Sequence, residues 1–342
     1  MNIYPIFRAL LFQLNPEYAH KLTLNVMRLA GNIQIVNSVI RSIYSAPAHP
    51  VQVFGLYFRN PIGLAAGYDK DGLGWQGLAG LGFGHIEIGT VTPEPQPGNP
   101  QPRLFRLPEE KALINRMGFP GMGADFVLKQ ISRPHPKNLV LGINIGKNKD
   151  TPLEAAVQDY LSLLRLFANH ADYLTINVSS PNTVGLRQLQ ERQALDHLLR
   201  QLYAERERLT QSTSRKVPIL VKLSPDLTDP QLDDALDVII ENQMDGVIAT
   251  NTTISRDGVN SSLAREEGGM SGRPLQRRSL AIVTMIHERT NGKLPVIGVG
   301  GISDATGVQR MMDAGAVLVQ IYTGLIYEGP GLIKRMLREL RG

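Results

Sequence analysis

Tyr173-Leu174-Thr175-Ile176-Asn177-Val178-Ser179-Ser180-Pro181-Asn182-Thr183 opens as a largely apolar run and ends in asparagines, a serine pair and a proline. The first half reads as a buried strand, the second as the composition of a reaction site at the strand's exit. A buried amide costs free energy unless it is paired, so Asn177 and Asn182 flanking a hydroxyl point to a ligand that completes the set of donors and acceptors. Taken alone, the same residues also suit a Ser-Pro-Asn turn that only opens a loop.

The pattern recurs along the chain. Runs rich in β-formers at 61–67, 85–91, 139–146, 173–179, 218–224, 246–252, 295–301 and 317–324 alternate with amphipathic stretches such as 153–167 and 231–242. Most are apolar on both faces, as strands covered on both sides are. Eight such strand–helix units predict an α/β fold, a (β/α)8 TIM barrel, with a doubly wound open sheet as the alternative. A barrel puts its site at the carboxyl ends of the strands. The polar residues there are Asp69 and Lys70, Thr90, Asn144, Asn177 with Ser180, Lys222, Asn251 with Thr252, Gly300 with Gly301, and Tyr322 with Thr323. Strands meeting solvent would explain two or three of these positions, but hardly all eight.

The chain has 342 residues, of which 42% are hydrophobic and 20% charged, values that suit a globular protein with one large domain and an appendage. It contains no cysteine, which excludes disulfides, thiolate metal sites and a cysteine nucleophile; no metal is expected. A net charge of +5 is dispersed rather than gathered into basic runs interleaved with aromatics, so nucleic acid is not expected as a partner. The positive balance also suits anionic small molecules and anionic lipid surfaces.

Gly298-Val299-Gly300-Gly301-Ile302 closes the seventh run and Tyr322-Thr323-Gly324 the eighth, where barrels hold a phosphate on backbone N–H groups. The glycines also fit a plain tight turn; as a phosphate site they imply a phosphorylated cofactor, with Gly272 a further backbone contact. Neither a G-x-G-x-x-G fingerprint after the first strand nor a P-loop is present. Lys222, following Ile219-Leu220-Val221, places an ammonium in the barrel interior, where it needs a partner. A cation beside the pyrimidine end of a flavin would favour the anionic reduced form. An ion pair with Glu87 or Asp69 would satisfy the same lysine.

Nine blocks in order carry a family resemblance: 65–70 (AAGYDK), 89–93 (GTVTP), 115–119 (NRMGF), 177–183 (NVSSPNT), 221–225 (VKLSP), 249–253 (ATNTT), 269–274 (GMSGRP), 298–302 (GVGGI) and Ile321-Tyr322. Over nearly its whole length the chain resembles dihydroorotate dehydrogenase, specifically the quinone-linked class with an N-terminal extension. The resemblance implies FMN contacts from Ala66, Gly67, Thr90, Asn144, Asn177, Lys222, Thr250, Gly272, Gly301, Tyr322 and Thr323. It implies contacts to dihydroorotate or orotate from Lys70, Asn115, Arg116, Met117, Gly118, Phe119, Asn177, Asn182, Asn251 and Thr252. The residue types agree: Lys70 offers charge to a carboxylate, and a ring of asparagines matches the edge of a pyrimidine dione. Tyr68 stands where the family more often has an apolar residue. Ser180 falls at the family's base position, a cysteine in the soluble class and a serine in the quinone-linked one. The implied reaction is oxidation of (S)-dihydroorotate to orotate in de novo pyrimidine synthesis. A serine is a poor base unaided, so a relay through water or a neighbouring hydroxyl is expected.

Residues 1–44 have a helical period that Ser45-Ala46-Pro47-Ala48-His49-Pro50 breaks, and the chain is divided there into an extension, 1–44, and a barrel, 45–342. Ile3, Phe7, Leu10, Leu11 and Leu14 fall on one helical face; Asn15-Pro16-Glu17 reads as the cap and first turn of a second helix, ending near Gly31. Its apolar stripe is Ala19, Leu22, Val26, Leu29 and Ala30. No stretch spans a bilayer and no cleavable signal peptide is expected. Composition leaves open whether the helices lie in a membrane interface or flat on the barrel. The resemblance implies the former: a peripheral protein, expected to be a monomer, on the cytoplasmic face of the cell's inner membrane, with a tunnel admitting ubiquinone or menaquinone. His20, Arg106 and Tyr322 match positions near the quinone, although His20 alone would read as a surface helix residue. Deleting 1–44 is then expected to spare flavin reduction and abolish turnover of long-chain quinones. Another FMN barrel, such as a tRNA dihydrouridine synthase, would call for a basic RNA-binding extension and a cysteine acid; a non-catalytic binding module would leave gaps in the site. Neither signature is seen.

Overall fold

The computed structural model describes residues 4–136 and 138–340; Ile3 lies outside the described residues. Three helices come first: α1 (Tyr4–Gln13), α2 (Pro16–Asn32) and α3 (Gln34–Tyr44). Asn15 caps α2, its Oδ1 accepting from the backbone N–H of Glu17 at 3.0 Å and of Tyr18 at 3.3 Å, with Pro16 opening the helix.

The strands follow in chain order as β1 (Val51–Val53), β2 (Leu56–Phe58), β3 (Ile62–Leu64), β4 (His85–Val91), β5 (Leu104–Leu107), β6 (Ala112–Asn115) and β7 (Val140–Ile145). After them come β8 (Tyr173–Asn177), β9 (Ile219–Leu223), β10 (Gly246–Ala249), β11 (Gly269–Gly272), β12 (Val296–Val299) and β13 (Ala316–Ile321). Eight of them close a parallel barrel in the order β3-β4-β7-β8-β9-β10-β12-β13. These are the eight runs expected from sequence. Several stop sooner than expected, β3 at Leu64, β8 at Asn177 and β10 at Ala249, where the chain leaves the ladder at the mouth of the barrel.

Two features were not legible beforehand. The β1–β2 hairpin plugs the amino end of the barrel, packing Val51, Phe54 and Phe58 on Tyr173, Leu220, Ile248, Ile297 and Leu318. At the opposite end β5, β6 and β11 form an antiparallel sheet whose register sets Asn115 beside Gly269 and Ala112 beside Gly272. That pairing brings segments more than 150 residues apart in sequence together above the barrel mouth.

Helix α2 meets α4 (Trp75–Ala79) with almost no side chain between them: a Cβ on Gly77 would sit 2.0 Å from the carbonyl oxygen of Met27. The expected single stripe on α2 is two faces. Ala19, Leu24 and Ala30 are buried, whereas Leu22, Val26 and Leu29 are 41%, 51% and 61% exposed, the first two at the rim of an apolar cavity. The exposed set continues onto Phe7, Leu10 and Leu14 of the first helical segment and onto Ile35, Val36, Val39 and Ile43 of α3. Among the described residues no helix is long and apolar enough to cross a membrane.

Candidate functional site: two adjoining cavities at the carboxyl end of the barrel

Inside the barrel, Glu87 on β4 accepts at both oxygens. Asn144 Nδ2 donates to Oε1 at 2.8 Å, while Gln320 Nε2, Tyr173 OH and Thr175 Oγ1 donate to Oε2 at 2.8, 3.1 and 3.2 Å. Lys222 Nζ lies 3.9 Å from Oε1. Lys222 thus pairs with Glu87, as the ion-pair reading expected, and also lines the cavity above. Burial lowers its pKa, and Glu87 opposes that shift. Asp69 is not a partner. Its carboxylate accepts from the backbone N–H of Leu73 at 2.8 Å and of Gly74 at 2.7 Å, holding the turn into α4, and burial pushes its pKa up to about 6.

One layer higher, the register pairs Asn177 on β8 with Lys222 on β9. Asn177 Nδ2 donates to Thr90 Oγ1 at 2.7 Å and to Asn144 Oδ1 at 3.1 Å, and Thr90 Oγ1 donates to the same Asn144 oxygen at 2.6 Å. Asn251 Nδ2 reaches Ser179 Oγ at 2.9 Å and Asn177 Oδ1 at 3.3 Å. These amides fix one another, so their remaining donors and acceptors present a set pattern to the cavity.

Of the residues expected at a cofactor, Ala66, Gly67, Thr90, Asn177, Lys222, Thr250, Gly272, Gly301, Tyr322 and Thr323 line one cavity. Asn144 stands behind it and acts through Thr90 and Asn177. Ser180 lines the same cavity with Lys70, Asn115, Met117, Gly118, Phe119, Asn182, Asn251 and Thr252. Arg116 does not: its guanidinium pairs with Glu266 at 2.6 Å and lies 4.6 Å over the Phe105 ring, outside the cavity. Gly272 and Gly301 have φ of +100° and +71°, and a Cβ would fall 2.3 Å from the Lys111 carbonyl oxygen and 2.6 Å from Gln276 Cβ. Only glycine permits that close turn of backbone N–H groups.

Lys70 Nζ donates to the Gly67 carbonyl at 2.9 Å, and burial brings its pKa down to about 8. The backbone N–H of Asn182 donates to Ser180 Oγ at 3.3 Å, and Asn182 Nδ2 donates to Asn115 Oδ1 at 3.1 Å. Sequence reading missed Gln320, whose Oε1 is buried without a partner among the described residues, and gave Glu17 no role in the cavity it lines. The signal for Gln320 was available as a lone amide in the run Ala316–Ile321; Glu17 carried none beyond its place in a first turn.

A second, apolar cavity of about 970 Å³ lies between α1, α2 and the barrel, lined among others by Phe7, Leu11, Leu22, Val26, Met27 and Arg106. The two cavities share His20, Leu104, Leu113 and Tyr322. His20 is no surface residue: its ring meets Tyr68 edge-on at 5.0 Å, Tyr68 meets Tyr322 at 5.7 Å, and burial, with Lys70 nearby, lowers its pKa to about 4. Arg106 donates from Nη1 to the carbonyls of Leu14 at 2.9 Å and Phe12 at 3.2 Å, closing the carboxyl end of α1.

Comparison with known proteins places this geometry. The sequence profile of the family described as Dihydroorotate dehydrogenase matches residues 49–342. A curated relative from Cellvibrio japonicus, named Dihydroorotate dehydrogenase (quinone), is 49% identical over 97% of this chain and 96% of its own. One of the same name from Nitrosospira multiformis is 48% identical over 99% of this chain and 96% of its own. Among solved structures, ligand-free DHODH from Eimeria tenella superposes with a TM-score of 0.85 at 38% identity, covering 95% of this chain and 93% of that one. Its complex with ferulenol gives 0.83 at 37% identity, over 95% and 90% of the two chains. With a profile match over most of its length and relatives near half identical across nearly all of it, the chain belongs to the dihydroorotate dehydrogenase family.

Proposed function

We propose that this protein oxidises (S)-dihydroorotate to orotate, a step of de novo pyrimidine synthesis, with FMN as cofactor and a membrane quinone, ubiquinone or menaquinone, as final acceptor. The observation that carries the reading is the junction of the two cavities. A polar one holding Ser180 and the asparagines meets a large apolar one at Tyr322 and His20, so a redox group in the first lies beside a hydrophobic acceptor in the second.

FMN fits the residues present. The glycine turns at Gly272 and Gly301 leave room only for backbone, and suit a phosphate on N–H groups with Thr323 beside them. Lys222 suits the electron-rich end of the ring, and the unpaired Gln320 Oε1 supplies an acceptor for a ring N–H. When bound, FMN would supply two-electron redox chemistry, accepting a hydride equivalent from the substrate and passing the electrons on to the quinone. Lys70 meets the substrate carboxylate, while Asn115, Asn177, Asn182 and Asn251 orient the pyrimidine edge and disfavour analogues lacking it. Ser180 removes the proton beside the ring carbonyl. The Asn182 N–H steadies negative charge on its Oγ as the hydroxyl proton moves on. Thr183, whose buried hydroxyl has no partner among the described residues, continues that relay through water.

Residues 1–44 act as the quinone-access and membrane-associating part and 45–342 as the catalytic barrel, in a monomer held peripherally on the cytoplasmic face of the inner membrane. The exposed apolar faces of the helices support this reading. The test is the visible spectrum of the purified protein under anaerobic dihydroorotate, followed by a ubiquinone analogue with fumarate and NAD as parallel controls. Bleaching of a flavin band that only quinone restores is the expected result. A flavin band that dihydroorotate does not bleach would refute the substrate, and one restored by fumarate or NAD would refute the acceptor.

A further inference from the structure

The N-terminal helices are joined to the substrate end of the cavity as well as to the apolar one. Glu17, in the first turn of α2, and Arg103, just before β5, are both buried. Arg103 donates from Nη2 to Glu17 Oε1 at 2.8 Å and from Nε to Oε2 at 3.1 Å. Its remaining terminal nitrogen, Nη1, donates to the carbonyls of Pro97 at 2.7 Å and Asn99 at 2.8 Å. One planar guanidinium therefore grips a carboxylate on α2 with one edge and a loop backbone with the other, a geometry lysine cannot reproduce.

That loop in turn holds the substrate-lining segments. Asn99 Nδ2 donates to the carbonyls of Arg116 at 3.0 Å and Asn182 at 3.1 Å, and its backbone N–H donates to the carbonyl of Met117 at 2.9 Å. Gly118, at φ +67°, lies so close beneath the Asn99 amide that a Cβ would meet it at 2.7 Å. On the other side α2 cannot shift freely, because its backbone is seated on Gly77. The helix is thus a fixed post, Arg103 the tie, and Asn99 the clamp on both the 115–119 loop and the loop that carries Ser180 and Asn182.

We propose that Glu17, Arg103 and Asn99 form a latch through which α2 positions the dihydroorotate-binding loops, so that the N-terminal helices set substrate affinity in addition to admitting quinone. The inference rests on the substrate site proposed above. All three are positioning residues, acting through the loops.

Stopped-flow flavin reduction of the holoenzyme under anaerobic dihydroorotate tests it, with reoxidation by a short-chain ubiquinone measured separately. Glu17→Gln raises the apparent Kd for dihydroorotate about tenfold or more, since small misplacements of a binding loop carry costs of that order, while the limiting reoxidation rate and flavin content stay within twofold. Asn99→Ala, which leaves α2 untouched, raises Kd comparably, and the double variant is no worse than either single one. Leu29→Ser, on the outward face of α2, leaves Kd unchanged. Unaltered Kd in the single variants, additive effects, or a change confined to quinone would overturn the latch. Should Glu17→Gln not fold, Arg103→Lys decides: it keeps the charge beside Glu17 but loses the fork, and an unchanged Kd refutes the proposal. If dihydroorotate does not reduce the wild-type flavin, the substrate assignment fails; if it does and the variants match wild type, only the latch fails.

Discussion

Lys70 is costly where it sits. The unfolded chain holds its proton up to the ordinary lysine value, whereas burial in the fold releases it near 8. Below about 8 the native state bears the full cost of a desolvated ammonium, and that cost is relieved as pH rises toward the ordinary value. A charge kept at such expense suits an anionic substrate. kcat/KM for dihydroorotate should therefore fall as pH rises through about 8, and Lys70→Gln should remove that limb while lowering the plateau. A pH profile over that range checks both. Ser180 is tested more directly. Ser180→Ala should slow flavin reduction by roughly 10²-fold or more and leave FMN bound, and unchanged single-turnover reduction would sink its role as base. Neither Lys70 nor Ser180 needed coordinates to be noticed. Glu87 was readable only as one of two candidate partners for Lys222; the four donors that converge on it beside that lysine come from strands that only packing brings together.

Among the elements, α2 departs furthest from its sequence reading. A helix apolar on two faces usually lies between two apolar partners; here one partner is the barrel and the other is solvent, next to the open apolar cavity. Replacing Leu22, Val26 and Leu29 together by serine should lower binding to anionic phospholipid vesicles and weaken turnover of long-chain quinones, with flavin reduction preserved. Co-sedimentation and the two half-reactions read this out. The inner face is governed by steric fit. Gly77→Ala places a methyl 2.0 Å from the Met27 carbonyl, so α2 must lift; overpacking of that kind costs about 1–3 kcal/mol, enough to lower the melting temperature by a few degrees. Its effect should also reach dihydroorotate affinity, because α2 carries Glu17.

For the whole molecule, deletion of residues 1–44 becomes a different experiment from the one the sequence suggests. Losing α2 takes the carboxylate partner from the Arg103 guanidinium and uncovers the Gly77 surface, so the loop that Arg103 ties loses its anchor. The truncated protein should accordingly lose dihydroorotate affinity together with quinone turnover, measurable as separate half-reactions. A truncated form with wild-type flavin reduction would show that the barrel stands alone. The barrel and its site were legible in the sequence because they rest on local signals: eight buried runs, each ending in a polar residue whose place at a strand exit follows from period and length alone. Most of the strand-exit residues line one cavity for that reason, whereas Asn115 to Phe119 and the roles of most residues came from the family resemblance. Arg116 was read from its position in a motif, yet side-chain direction depends on what is nearby, and Glu266 and Phe105 draw it out of the cavity. The hairpin under the barrel, the sheet that seats Asn115 beside Gly269, the Glu17–Arg103–Asn99 tie and the adjoining of the two cavities at Tyr322 all join residues far apart in the chain. Periodicity and residue type determine which face of a strand or helix is buried and where a strand ends; which distant side chain completes a given donor or charge is decided only when the elements pack.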